Sequence, residues 1–554
     1  MLAMDPNLLV AAVTMLGFVS PLQAAPEPPQ GDVVVDRSPS DALTITIAPS
    51  ALDAVREALG RPGSRAGVVR PRVLVLFGEV DGPLGEVDPL DAPFYRRPQP
   101  IRSIPIDRES LFTATEPLRL ELGDDVDGVA SVPDRLADLD GGFRMRAVLD
   151  LGLGRGHAEP GNAVSAITTH EFDESTADAV ELVIEETIDA EPRVELDNLE
   201  WVEIPSPLLT SSLGRPVRHR AGVALPPAYH DLDADRRFWP VVYVVPGFGS
   251  DERGAETWAR LLSDPTMEAS MPPAVFVVLD PEDPLGHHGF IDGDNVGPRG
   301  TALVEEFIPW LERRFRLVAD PSARFLLGHS SGGWSTIWLQ LEHPGTFGAC
   351  FSTAPDPVDF TAFGTVDLLR DRTIHEDEEG RPRPSHRRPL SPDLDHVLMT
   401  VAEETAMEHA LAPDGTSGEQ WSTWNAMFSG RDPRTGRPLM AYDLRSGEID
   451  PGIVRRDWLR FDITDRLRRD PEGIAPILLE RVRLLCGDRD CYYLEEAVAR
   501  LAAELARSQR RLGLESTGGS IEIVPGATHD TIVGYAMRRW LPELGELAGR
   551  APLR

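Results

Sequence analysis

Six short apolar runs follow one another after about residue 205, and each is continuous rather than alternating. They are Val241–Val245 within "FWPVVYVVPGFG", "AVFVVLDP" at 274–281, "ARFLLGHSS" at 323–331, "FGACFSTAP" at 347–355, "RVRLLCGD" at 481–488 and "IEIVPG" at 521–526. Amphipathic patterns lie between several of them: "RGTALVEEFIPWLERRF", "SSGGWSTIWLQLEHPG" and "YYLEEAVARLAAELARSQRRLG". A strand with no polar face must be covered on both sides, and intervening helices supply that cover. The pattern therefore predicts a parallel α/β sheet over residues 205–550.

The preceding region has another rhythm. From 40 to 200 the runs "LTITI", "VLVLF", "LRLEL" and "FRMRAVL" mostly alternate or run apolar, with turn-rich spacers and no convincing helical stripe between them. A β-sandwich-like domain, immunoglobulin-like in outline, is the simplest expectation. About 110 residues, 361–475, also interrupt the α/β pattern between its fourth and fifth strands. An insertion there is placed above the carboxyl ends of the strands and reads as a cap over a ligand site.

At 554 residues the chain is too long for one core. Its net charge of −35 repels phosphate backbones and anionic lipid heads, which argues against nucleic-acid or membrane-surface partners. Every one of the 55 basic residues is Arg, so Ser-Lys dyads, Schiff bases and P-loop lysines are excluded. Residues 1–25 hold an apolar run of about a dozen residues ending at small residues, as in an export signal, although its start contains Asp5 and no basic residue. Export is the expectation, with no stable membrane insertion. Three cysteines build no disulfide framework, though Cys486 and Cys491 could bridge in an exported protein. The acidic stretch "HEFDESTADAVELVIEET" reads as a solvated face and not as a metal site.

The stretch "RFLLGHSSGGWS" carries the chemistry. Gly328-His329-Ser330-Ser331-Gly332 fits the G-x-S-x-G elbow, in which a serine sits on a tight strand-to-helix turn. Ser330 is the candidate nucleophile, with the backbone N–H of Ser331 at the helix start. A serine hydroxyl needs a base and an orienting carboxylate. Of 13 histidines only His529 lies beyond the fifth strand, in "PGATHD". The acid is expected just after that strand, where "GDRDC" offers Asp490 and, as second choice, Asp488. The oxyanion needs two backbone donors. Ser331 supplies one, and Phe248 of "PGFGS", with Gly249 as the alternative, supplies the other. Trp334, His288, Asn295 and Tyr492 are expected to face the substrate, and Trp421 and Trp424 of the insertion to add aromatic walls suited to a sugar or phenolic ester.

These residues carry a resemblance. "VALPPAYH" before "WPVVYVVPGFG", "NVGPRGTALVEEFIPWLERRF", "RFLLGHSSGGWSTIWLQLEHPGTFGACFSTAPDPVDF", "GDRDCYYLEE" and "PGATHD" are similar to the esterase D and enterochelin-esterase-like family of α/β-hydrolases. The resemblance covers about 220–550 and leaves the β region out; "VVPGFG" stands where the family more usually has His-Gly. It implies an α/β-hydrolase fold with a cap-like insertion and a serine ester hydrolase acting through Ser330, Asp490 and His529 without metal or cofactor. An acyltransferase on the same fold and a non-catalytic secreted binding protein are the competing expectations.

Overall fold

The computed structural model describes residues 43–60, 69–81, 85–91, 98–172, 179–231, 237–267, 270–391 and 394–550. The expected export signal at 1–25 lies outside them. The chain divides into two compact units, one containing Pro192–Val401 and Thr423–Arg554, the other Val19–Glu191 and Ala402–Ser422.

The first unit is built on an eight-stranded sheet. Its strands are β1 (Leu199–Pro205), β2 (Arg218–Ala224), β3 (Val241–Val245), β4 (Val275–Leu279), β5 (Arg324–His329), β6 (Ala349–Thr353), β7 (Val482–Gly487) and β8 (Ser520–Val524). Their order across the sheet is β1-β2-β4-β3-β5-β6-β7-β8. From β4 through β8 every pairing is parallel, while β2 runs antiparallel to both β1 and β4. All six apolar runs are strands, and β3, β4, β6 and β7 are buried along their whole lengths. Two strands precede the first run. Because β1 pairs with β2 over seven residues, this sheet begins before residue 205 and the division between units falls at 191 and 192. Helices α1 (Ala255–Ser263), α2 (Ser331–Glu342), α3 (Glu495–Leu512) and α4 (Thr531–Arg550) follow β3, β5, β7 and β8.

The second unit departs from the sandwich expectation. Its nine strands hydrogen-bond into one sheet, with Leu43–Ile47 lying parallel to the distant Val180–Thr187, and no second sheet faces it among the described residues. A helix, Pro49–Leu59, buries Ala51, Leu52, Val55 and Leu59 in the same core as Val73, Val75 and Phe77. Pro at its start and this i, i+1, i+4, i+8 spacing are the helical stripe that the strand-rich surroundings masked. The acidic stretch is a solvated face where described: Val180, Leu182 and Ile184 point inward, and Glu181 and Glu185 outward.

The insertion is only partly a cap. Residues 402–422 group with the second unit, where Ser103 Oγ donates to Ala410 O at 2.5 Å and Arg72 Nη1 to Thr416 O at 3.3 Å. The portion that stays in the first unit includes a hairpin, Pro384–Ser391 with Leu394–Thr400. Three further hairpin turns each have an Asp whose Oδ1 accepts backbone N–H groups two or more residues on: Asp377, Asp432 and Asp443. The segments "DEEGRP", "DPRTGRP" and "DLRSGEI" are thus one turn device used three times.

Candidate active site

The centre of the sheet presents a serine in a conformation that side chains seldom adopt. Ser330, between β5 and α2, has φ 56° and ψ −127°. Such a backbone costs on the order of 1–3 kcal/mol and persists only where its surroundings impose it. Here they do. Ser330 N–H donates to Thr353 O of β6 at 3.0 Å. A Cβ on Gly328 would lie 2.3 Å from Gly332 O, and one on Gly332 would lie 2.0 Å from Val245 O at the end of β3. Only glycine at both positions lets the start of α2 close over the neighbouring strand.

The ends of β7 and β8 bring together Asp490 and His529, the expected acid and base. A Cβ on Gly487 would lie 2.1 Å from Ala527 O, so the absence of a side chain lets the loops after β7 and β8 touch. Arg489 N–H donates to Ala527 O at 3.0 Å, and Gly526 N–H to Asp488 Oδ1 at 2.7 Å. Asp488 is therefore occupied as a turn residue. Asp490, fully buried, accepts from His529 Nδ1 at 2.7 Å through Oδ2 and from Tyr492 N–H at 2.9 Å through Oδ1. The acceptor fixes the tautomer: Nδ1 carries the proton, leaving Nε2 as the proton acceptor. Burial pulls the His529 pKa down, but the charge and hydrogen bond of Asp490 overcome it, and the net value is above the usual histidine range. His329, whose ring centroid is 4.4 Å from that of His529, is driven well below that range by burial and by His529 itself.

The loop after β3 faces the start of α2. Gly249 has φ 80°, Ser250 N–H donates to Gly247 O at 3.2 Å, and Phe248 sits half-buried inside this turn. His287 braces it. Its Nδ1 accepts Gly289 N–H at 3.1 Å, so Nε2 carries the proton and donates to Pro246 O at 3.0 Å.

A second buried carboxyl, unforeseen in the sequence, stands beside the serine. Asp356, three residues past β6, donates its N–H to Ser330 O at 3.3 Å. Its Oδ2 accepts from Ser331 Oγ at 2.7 Å and from Trp424 Nε1 at 3.0 Å. Burial raises its pKa against those two hydrogen bonds. Its position at the carboxyl end of the strand next to the elbow was the available signal.

The residues expected to face the substrate part company. Trp334 is 1% exposed and stacks on Trp338 at 5.3 Å, packed beneath the site rather than at its mouth. His288 is buried with its Nδ1 on Phe290 N–H, and lines a cleft with His219, Asp280 and Arg299 that does not include Ser330. Asn295 is buried and donates to Ala426 O and Ser429 O. Tyr492 alone of the four touches the candidate machinery, its ring T-shaped to His529 at 4.7 Å. Of the insertion tryptophans, Trp424 reaches Asp356, whereas Trp421 donates to Glu404 at 2.8 Å within the second unit. Cys350, Cys486 and Cys491 are free thiols, so the possible bridge is not formed. Among the described residues no His, Cys, Asp and Glu cluster is arranged to hold a metal, and no helix is long and apolar enough to cross a membrane.

Residues 211–432 match the model of the family described as Putative esterase. The match stops before Asp490 and His529. A curated relative, the uncharacterized protein YbbA of Bacillus subtilis, is 24% identical over 216 residues, which are 35% of this chain and 84% of that protein. Among solved structures, a ferulic acid esterase is 14% identical over 63% of this chain and 99% of its own, with a TM-score of 0.35. FphF, a fluorophosphonate-binding serine hydrolase of Staphylococcus aureus, is 12% identical over 63% and 98%, with a TM-score of 0.34.

Proposed function

We propose that this carboxylic ester hydrolase, whose residues 211–432 carry the Putative esterase domain, works through an acyl-enzyme formed on Ser330. His529 Nε2 takes the proton of Ser330 Oγ as the oxygen attacks the ester carbonyl. Asp490 keeps the imidazole in the tautomer this requires and stabilises the imidazolium. The N–H groups of Ser331 and Phe248 receive the developing oxyanion. The alcohol leaves with the proton held by His529, and water repeats the cycle on the acyl-enzyme. The observation that carries this reading is the 2.7 Å bond between His529 Nδ1 and a fully buried Asp490, at the ends of β8 and β7 in the same sheet as an elbow serine held at positive φ.

We take the substrate to be a small-molecule or carbohydrate-linked ester, and the protein to be exported. The test is intact-mass spectrometry after a fluorophosphonate probe, run beside Ser330→Ala. One adduct on the wild type and none on the variant is the expected result. An unlabelled wild type, or a labelled Ser330→Ala, would overturn the assignment. Turnover of acetylated-sugar, feruloyl and short-chain esters then ranks substrates, and an added alcohol acceptor separates hydrolysis from acyl transfer.

A further inference from the structure

The loop that carries Asp490 is gripped from outside the catalytic sheet. Arg387 lies on the first strand of the insertion hairpin and is only 8% exposed. Its backbone N–H donates to Cys491 O at 2.9 Å and its Nε donates to Asp490 O at 2.8 Å. The rest of the guanidinium is tied down: Nη1 bonds Asp395 of the hairpin's second strand at 3.0 Å, and Nη2 bonds Glu495 at the start of α3. The group also stacks over the ring of Tyr493, 4.2 Å from its centroid. One side chain thereby joins the hairpin, the acid loop and the helix that follows it. The neighbouring residue reaches the base. His386, buried, sets its ring T-shaped against Tyr492 at 4.8 Å, and Tyr492 does the same to His529 at 4.7 Å.

We propose that Arg387 is a positioning residue for the ester hydrolysis, fixing the backbone that presents Asp490 while its neighbour His386 holds His529 in register through Tyr492. The inference rests on the triad reading above. A planar fork suits this task because it binds several acceptors in one fixed plane, which an ammonium group does not do. The charged and titratable groups around Arg387 are Asp395, Glu495 and the thiols of Cys486 and Cys491, with the ring of Tyr493. Those facing His529 are Asp490, Asp530, Asp356 and the ring of His329. Loosening the acid loop weakens the Asp490 bond, so the His529 pKa falls and the base loses orientation together.

The rate of Ser330 labelling by a fluorophosphonate, followed from about pH 5 to about pH 9, reads both effects without a known substrate. The full-length proteins compared are wild type, Arg387→Ala, Arg387→Lys and, as a control, Arg381→Gln at an exposed ion pair of the insertion. Arg387→Lys keeps the charge and guards against simple unfolding, which its melting temperature checks. Both Arg387 variants are expected to label on the order of tenfold to a hundredfold more slowly at neutral pH, with the acid limb moved to lower pH; the control follows the wild type. A folded Arg387→Lys with unchanged rate and midpoint would overturn the inference while leaving the triad reading intact. A slowed variant with an unmoved midpoint would overturn it too, since that is a structural effect alone. A wild type that takes no probe overturns the reading beneath it and the inference with it.

Discussion

Two pairs of buried titratable residues sit in different parts of this molecule, and burial pushes on them in opposite directions. In the catalytic unit Asp490 faces His529, and both side chains are almost wholly enclosed. In residues 402–422 Glu408 faces Glu404, equally enclosed at 1% and 2% exposure. Glu408 accepts the N–H groups of Trp421 and Ser422 and the hydroxyl of Ser422, each at 2.8 Å, yet burial and then the Glu404 charge push its pKa up to about 8. Around His529 the neighbouring charge is again a carboxylate, but here it raises the pKa against the burial that would lower it, because the ionised form of a histidine is a cation. Burial is common to both sites. The sign of each group's own ionised form decides whether burial and the neighbouring carboxylate work together, as at Glu408, or against each other, as at His529.

The comparison breaks most severely at Asp490. Asp490→Asn should lower ester turnover or probe labelling by roughly ten-thousandfold, because an amide stabilises the wrong tautomer, and kcat measured on the folded variant checks it. Glu408 gives the next effect, and it is one of stability. Its folded pKa of about 8 lies above its ordinary 4.5, so its contribution is full below pH 4.5 and is lost as pH rises through 8. Unfolding in urea at acid, neutral and mildly alkaline pH should show a loss on the order of a few kcal/mol over that window, and Glu408→Gln should flatten it. An unchanged slope in the variant would remove Glu408 from the comparison. The smallest effect is expected at Asp488. Its side chain serves the turn at Gly526, so Asp488→Asn should cost less than about tenfold in turnover, set against the loss at Asp490.

What was legible in the chain follows from what each feature depends on. Residues next to one another in sequence announced the elbow, and the continuous apolar runs announced the parallel sheet, because local sterics and two-sided burial leave direct marks. That Asp490 and His529 would meet could be read from their offsets from strand ends. The N-terminal sheet was less legible. The pairing of Leu43–Ile47 with Val180–Thr187 joins segments far apart in the chain, and alternation along a strand does not name its partner. Arg387 and Asp356 were missed for a related reason: each acts through contacts with residues remote in sequence, and an Arg or Asp between prolines reads as an ordinary turn. His288, Asn295 and Trp334 lie near the motif yet are consumed by packing, which proximity in sequence cannot distinguish from exposure to substrate.

The return of residues 402–422 to the second unit also sets an order of assembly. On a ribosome the N-terminal strands emerge first, but the piece that contributes Ala410 O and Thr416 O to that unit emerges only after β1 through β6 of the catalytic sheet. Domains usually mature as units in the order they are made. Here the first to begin cannot be the first to finish, and its early strands must wait, part-built, while another domain is threaded through the interval. Cutting the chain near residue 192 would accordingly yield neither unit whole: one half would lack its closing segment, and the other would carry that segment without its host.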